Sequence, residues 1–326
     1  MSCAATWRCC SMTSRPLSGA SVHARLRNLA QATGNMNAAL PNLQVSYVQQ
    51  GFLARLAVSP YLDRFVVKGG VTMLARYGDR ARPTRDIDLS AQGIDSDVDA
   101  VRAIIQEICA IAHASGALPV DDALEFPQAF TAEMINEQRD VPGVRVVMAV
   151  GLRGTNQRLP LQLDVTFNTG SMLPPMDLEF PPVLLPEGVR FAAYPLEVMV
   201  SDKFAALVDY GIGVSRMNDL HDLWLASSRE GLDAGLLRDV MERSWPQRNT
   251  RFDDVPSVLA PDFAVDADLK RKWDRYVRAW RGDLTSLPPD VETLMARVAA
   301  YAGAVASGER TAGTWDSELG TWNDLA

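Results

Sequence analysis

The chain has 326 residues, with 32 Lys and Arg against 40 Asp and Glu for a formal charge of −8, a length that fits about two domains at ~150 residues each. A composition of 47% hydrophobic and 22% charged residues is that of a globular protein with a sizeable core, which excludes collagen-like, coiled-coil and wholly disordered chains. Apolar stretches such as Val144 to Leu152 stop well short of the ~18–20 residues that span a bilayer, and the negative charge excludes holding nucleic acid by bulk positive charge, so any RNA contact must be a local basic patch.

Residues 1–15 contain Cys3, Cys9 and Cys10 but lack the apolar run of a secretory signal, so they are expected to form a disordered extension. The remaining cysteine, Cys109, lies among Ile104, Ile105, Ile108 and Ile111 and reads as a small core residue. With no disulfide framework, the cysteine usage suits a reducing cytoplasm. His23, His113 and His221 are far apart and no Cys-x-x-Cys occurs, which argues against zinc.

A helix is expected over Ser21 to Ala32 and a second over about Asn42 to Ser59, with Asn42 as its N-cap and Val45, Val48, Phe52, Leu53 and Leu56 on its inner face. Phe65-Val66-Val67 reads as a buried strand that runs into Gly69-Gly70, after which Val71 to Tyr77 is helical. A strand at Arg85 to Leu89 and an amphipathic helix over Asp97 to Ser115 follow. Val144 to Leu152 and Leu159 to Phe167 read as a hairpin joined through Arg153 to Arg158. Prolines at 174, 175, 181, 182, 186 and 195 mark Gly170 to Pro195 as an irregular linker, and beyond it the pattern is almost entirely helical.

The chemistry concentrates around Asp86 and Asp88. Side chains alternate along a strand, so both carboxylates share one face with Cα atoms roughly 6 to 7 Å apart, while Ile87 and Leu89 face the core. In Leu161 to Phe167 the same alternation places Gln162, Asp164 and Thr166 opposite the apolar face; if the two strands are neighbours, three carboxylates meet. Such a cluster suits Mg²⁺, a hard cation that prefers oxygen ligands and substrate phosphates. Gly69-Gly70, at a strand-to-helix turn, would let a triphosphate approach backbone N–H groups. Metal and phosphates together would make a phosphoryl or nucleotidyl transfer site. Taken singly, Asp-x-Asp is usually a solvated strand end and Gly-Gly usually a turn.

Two further groups come from the second half. Lys203 flanks the buried stripe of Val200, Phe204, Leu207 and Val208, either as a point charge for a triphosphate or as a surface lysine covering apolar neighbours. Asp219 and Asp222, three apart, would share a helical face; alternatively Ser215 caps that helix and Asp219 favours its dipole.

The segments Lys68-Gly69-Gly70, Arg82 to Leu89, Asp202 to Leu207 and Arg216 to Leu223 together resemble the AbiEii/AbiGii toxin family of nucleotidyltransferases, relatives of the mycobacterial MenT toxins of type IV toxin–antitoxin systems, over about Ser21 to Trp280. The resemblance implies an α+β fold with a DNA polymerase β-like nucleotidyltransferase core and a C-terminal helical domain. The corresponding division is core 16–190, helical domain 191–305 and a tail from 306. It also implies a Mg²⁺-dependent toxin that transfers a nucleotide from an NTP to RNA, the tRNA 3′ end in characterised relatives, with a cognate antitoxin as partner and no membrane. By motif, Asp86 and Asp88 would bind Mg²⁺ and act in catalysis, with Asp164 as a third ligand from the wider superfamily pattern. Gly69, Gly70 and Arg85 would face the nucleotide, Lys203 would engage it, and Asp219 or Asp222 would complete the site. Many relatives carry Ser or Thr just after the second glycine; here Val71 follows Gly70 and the hydroxyl comes at Thr72.

An RNA acceptor needs a basic surface. Lys270 to Arg281 offers six cations against one anion, with Arg243, Arg248 and Arg251 upstream, although Trp273, Tyr276, Val277 and Trp280 recur at the spacing of a packed helix face with the charges on its solvent side. Arg80, Arg82 and Arg85 adjoin the carboxylates and would reach substrate or neutralise them. Rival readings are a non-catalytic nucleotide-binding module and transfer of a nucleotide to protein.

Overall fold

The computed structural model describes residues 17–113, 116, 118, 120–135, 142–167, 173–211, 217–280 and 282–324; the expectations for residues 1–15, Ser215 and Arg216 lie outside them. Helix α1 (Gly19–Ala32) starts at Ser18, whose hydroxyl accepts the Ser21 N–H. Helix α2 (Met36–Ala57) begins two turns before the expected Asn42, because Asn35 caps it by accepting the Ala38 N–H. Pro41 sits inside it and removes one backbone donor, a local loss the helix tolerates near its start. Strand β1 (Phe65–Lys68), helix α3 (Gly70–Tyr77), strand β2 (Asp86–Ala91) and helix α4 (Val98–Ala110) follow in the expected order. Asp97 caps α4 through the Asp99 and Ala100 N–H groups.

Strands β3 (Leu124–Glu125), β4 (Thr131–Ile135), β5 (Gly143–Leu152), β6 (Arg158–Phe167), β7 (Met176–Phe180) and β8 (Val189–Ala193) complete one sheet in the order β3-β5-β6-β2-β1-β8-β7, with β4 also on β5. The expectation of an irregular linker over Gly170 to Pro195 is corrected here. Its prolines lie outside the strands and bound them, so they mark where β7 and β8 begin and end. Strand β8 runs parallel to β1, pairing Ala193 with Val67.

The rest is helical up to a final hairpin: α5 (Leu196–Tyr210), α6 (Met217–Arg229), α7 (Ala234–Ser244), α8 (Val255–Leu259), α9 (Pro261–Ala264), α10 (Ala267–Ala279), α11 (Val291–Val298) and α12 (Ala304–Ala306), with a π-helical turn over Ala299–Gly303. In the tail, β9 (Thr314–Asp316) and β10 (Thr321–Asn323) pair, and Tyr301 meets Trp315 edge-on and stacks with Trp322 at centroid distances of 5.0 and 6.4 Å. On α10, Trp273 and Trp280 are buried while Lys270 pairs with Glu292, and Arg271 and Lys272 pair with Asp268, which is the packed-face reading of that segment.

Alternation along β1 divides the interior. Val67 joins Phe52, Ile87, Ile105 and Val165 between the sheet and helices α2 and α4, whereas Val66 joins Met73 of α3 and Phe204, Leu220 and Trp245 from the later part of the chain. One strand therefore anchors both apolar clusters, and its C-terminal end, Lys68-Gly69, emerges between them. Among the described residues no helix is long and apolar enough to cross a membrane.

Candidate functional site

The site is built on the turn after β1. Gly69 has φ +68°, and a Cβ there would lie 1.9 Å from Asp88 Oδ2; a Cβ on Gly70 would lie 2.4 Å from Thr84 Oγ1. Neither position has room for a side chain. Register then lines up charges across the sheet. Lys68 on β1 pairs with Asp88 on β2, Asp88 pairs with Asp164 on the parallel strand β6, and Asp164 pairs with Arg145 on β5. Directly opposed residues project to the same face.

Asp86, Asp88 and Asp164 each bring a carboxylate oxygen within 4.8 Å of the others. Asp86 accepts a hydrogen bond from the Thr84 hydroxyl at 3.0 Å. Asp164 accepts from Arg145 Nε at 2.8 Å, Arg145 Nη2 at 2.6 Å and Gln162 Nε2 at 3.2 Å. Burial, reinforced by the neighbouring Asp86 charge, pushes the Asp88 carboxyl up to about 6 against the opposing pull of Lys68. An all-carboxylate donor set whose central member resists ionisation fits a hard divalent cation, which would relieve the crowded negative charge.

Facing this cluster is the N-terminal half of α5. Lys203 is buried, and its Nζ donates to Asp222 at 2.6 Å and Asp219 at 3.3 Å. Burial works against the ammonium, but Asp222 and Asp219 outweigh it and raise its pKa, so Lys203 is a cation at neutral pH. Arg82 also reaches Asp222 at 3.3 Å. Burial alone would raise the Asp222 carboxyl; the Lys203 and Arg82 charges hold it below the usual carboxylate range. A cleft of about 210 Å³ lies between Lys68, Gly69 and Asp88 on the sheet side and Lys203, Asp219 and Arg248 on the helical side. Arg248 is braced there by Asp202 at 3.2 Å.

Most of the expected residues converge, and some change place. Asp222 is fully buried behind Lys203 and does not line the cleft, whereas Asp219 does. Thr72 is also fully buried; its hydroxyl donates to the Gly69 carbonyl at 2.7 Å and touches Met199 Sδ, so it holds the turn together and is not offered to a phosphate. Gly70 contributes space for Thr84 and lies behind Gly69. Arg85 is exposed and outside the cleft, and the arginine that turns inward is Arg82, which neutralises Asp222 and not Asp86 or Asp88. Lys68, Tyr194 and Arg145 were not among the expected site residues, and Arg248, expected only as part of a basic surface for RNA, lines the cleft. Lys68 had one available signal, its position immediately before the glycine pair at a strand end. The others depend on register or on long-range packing that spacing does not encode.

Residues 51–297, most of the chain, match the family described as "Nucleotidyl transferase AbiEii toxin, Type IV TA system". Among solved structures, the chain is similar to the MenT4 nucleotidyltransferase toxin of Mycobacterium tuberculosis H37Rv, with a TM-score of 0.51 and 21% identity over 88% of this chain and 99% of that one. It is also similar to JHP933 from Helicobacter pylori, with a TM-score of 0.44 and 15% identity over 82% and 92% of the two chains. The first likeness bears on the fold alone. A search of curated protein sequences found no match.

Proposed function

The chain belongs to the AbiEii family of nucleotidyl transferase toxins of type IV toxin–antitoxin systems, and on that premise we propose that it transfers an NMP unit from an NTP to the 3′ hydroxyl of an RNA acceptor, the tRNA 3′ end. In this reading residues 16–190, which hold α1 to α4 and the sheet up to the start of β8, are a DNA polymerase β-like core, residues 191–305 are the helical domain that closes the nucleotide cleft, and a cognate antitoxin restrains the activity in the cytoplasm.

Asp86, Asp88 and Asp164 would hold Mg²⁺. Held there, it would supply Lewis acidity at the phosphate and would lower the pKa of the attacking hydroxyl. The Gly69 turn lets a triphosphate lie close to backbone, since no Cβ intervenes between it and Asp88. Lys203, fixed by Asp219 and Asp222, presents a positive charge from the opposite wall to the β- and γ-phosphates, with Arg248 beside it. The acceptor 3′ oxygen forms a bond to the α-phosphorus, the bond from that phosphorus to the bridging oxygen breaks, and pyrophosphate leaves with the electron pair. The hydroxyl proton passes to the carboxylate cluster. Asp222 acts through Lys203, as a positioning residue.

The observation that carries the proposal is a cluster of three carboxylates that meets, through Asp88, a cleft lined by a glycine turn and a buried lysine. The test is incubation of the purified protein with each α-labelled NTP, Mg²⁺ and total RNA. Label on RNA is expected, and it should vanish in Asp86→Ala and Asp88→Ala. Nucleotide binding without labelled product would favour a non-catalytic module, and label on protein would favour a protein acceptor; either would overturn the proposal.

A further inference from the structure

The row of paired residues across the sheet has direction. From β4 to β1 it reads Glu133, Arg145, Asp164, Asp88, Lys68, each directly opposite the next. At ~4.8 Å per strand the carboxylates sit in the middle, with one cation on each side. Lys68 lines the nucleotide cleft together with Gly69, Lys203 and Arg248. Arg145 is on the other side and lines no part of that cleft.

In-line transfer at phosphorus requires the attacking and leaving oxygens to lie on opposite sides of the reacting atom. On the proposed function, pyrophosphate departs on the side of Gly69 and Lys203, so the attacking 3′ oxygen must arrive over β6 and β5. Arg145 is the guanidinium waiting there. Its Nε and Nη2 are fixed by both oxygens of Asp164, at 2.8 and 2.6 Å, which sets the plane of the fork. Its remaining N–H groups, those of Nη1 included, have no hydrogen-bond partner among the described residues, and the side chain is 38% exposed. Beside it the sheet face carries exposed Thr131, Val147 and Pro160, and the half-exposed Gln162. Asp164 first, then Asp86 and the exposed Glu133 on the outer flank, raise the guanidinium's pKa against the effect of burial, so Arg145 is permanently charged.

We propose that Arg145, oriented by Asp164, is the acceptor subsite's phosphate clamp: it binds the terminal phosphodiester of the RNA and so delivers the 3′ hydroxyl to the carboxylates from the side opposite the NTP. The inference rests on the nucleotidyl-transfer reading for its direction. Asp164 then serves both sides, facing the metal with the other carboxylates and the acceptor through Arg145.

The test uses the full chain with bulk tRNA as the acceptor probe, following transfer kinetics and, separately, tRNA binding by fluorescence anisotropy without NTP or divalent ions. Losing one charge-assisted phosphate contact corresponds to about tenfold. Arg145→Gln is expected to raise the KM for tRNA and weaken metal-free tRNA binding by about that factor while the KM for NTP stays within about twofold. Arg145→Lys, which keeps charge but loses the fork, should fall between. An unchanged KM and affinity for tRNA in Arg145→Gln would overturn the clamp, and so would an effect that appears only in Arg271→Gln, on the rival basic helix α10. A chain that binds tRNA through Arg145 but labels no RNA would support the subsite and contradict the transfer reading.

Discussion

At Asp88 the needs of the site and of the fold conflict. Its carboxyl is pushed up to about 6 from the ordinary 3.8, by burial first and by Asp86 second. Because the folded value lies above the unfolded one, the ionised form costs stability at every pH above about 6, and that cost fades as pH falls from 6 toward 3.8. Asp88→Asn is therefore expected to stabilise the metal-free protein, by about 1–3 kcal/mol at pH 7.5 after allowance for solvent, while abolishing transfer. A melting experiment beside an activity assay checks both halves; a less stable Asn variant would contradict the assigned burial. In the metal-free protein Asp88 takes up its proton as the pH drops through about 6, so Mn²⁺ binding, followed by titration, should weaken below that pH. Gly69→Ala must both adopt φ +68° and place a Cβ 1.9 Å from Asp88 Oδ2, so it should cost activity by displacing that carboxylate even where the fold survives. The shared face of Asp86 and Asp88, and the outward turn of Asp164, were legible from alternation alone. That Lys68 faces Asp88 and Arg145 faces Asp164 was not, because a pairing register is a property of two strands and a one-residue slip would have exchanged every partner.

Among the elements, α6 shows how a motif helix is tied to the rest. His221 is fully buried, with Nδ1 2.9 Å from the Tyr276 hydroxyl and its ring edge-on to Trp280 at 4.5 Å. Burial, with help from the Arg82 and Lys203 charges, lowers its pKa from 6.5 to about 4. The folded value lies below the unfolded one, so the unfolded chain binds the proton first; the stability of the α6–α10 contact is complete above pH 6.5 and is lost as pH falls toward 4. The loss amounts to about 3 kcal/mol over that window. Chemical denaturation of wild type and His221→Gln across pH 4 to 7 should give stabilities whose difference changes by that order; a constant difference would refute the assignment. Amphipathic helices such as α4 and α10 were legible because their apolar stripes are periodic. Strands β7 and β8 were hidden by the prolines that bound them, and the β9–β10 hairpin by its brevity, since its burial comes from two tryptophans docking on distant Tyr301. Trp322→Ala should cost about 3–5 kcal/mol if that docking holds the terminus, measured as a fall in melting temperature.

Across the molecule, the cleft exists because β1 sends alternate side chains into two apolar clusters and its last residues emerge where they meet. Lys203 belongs to the helical side and Asp88 to the sheet side, and the Lys203–Asp222–Arg82 tie binds the two, since Arg82 precedes β2 and Asp222 lies on α6. Lys203→Met would leave Asp222 buried with only Arg82 as a charged partner, and breaking such a pair costs about 3–5 kcal/mol. The account therefore predicts a joint loss of stability and NTP affinity, separable by Asp219→Asn, which spares the shorter bond to Asp222. The most direct test of the central claim is anomalous diffraction from crystals grown with Mn²⁺ and a non-hydrolysable NTP. The account predicts an anomalous peak among Asp86, Asp88 and Asp164, with the triphosphate running past Gly69 toward Lys203. A metal bound elsewhere, or a triphosphate outside this cleft, would contradict it.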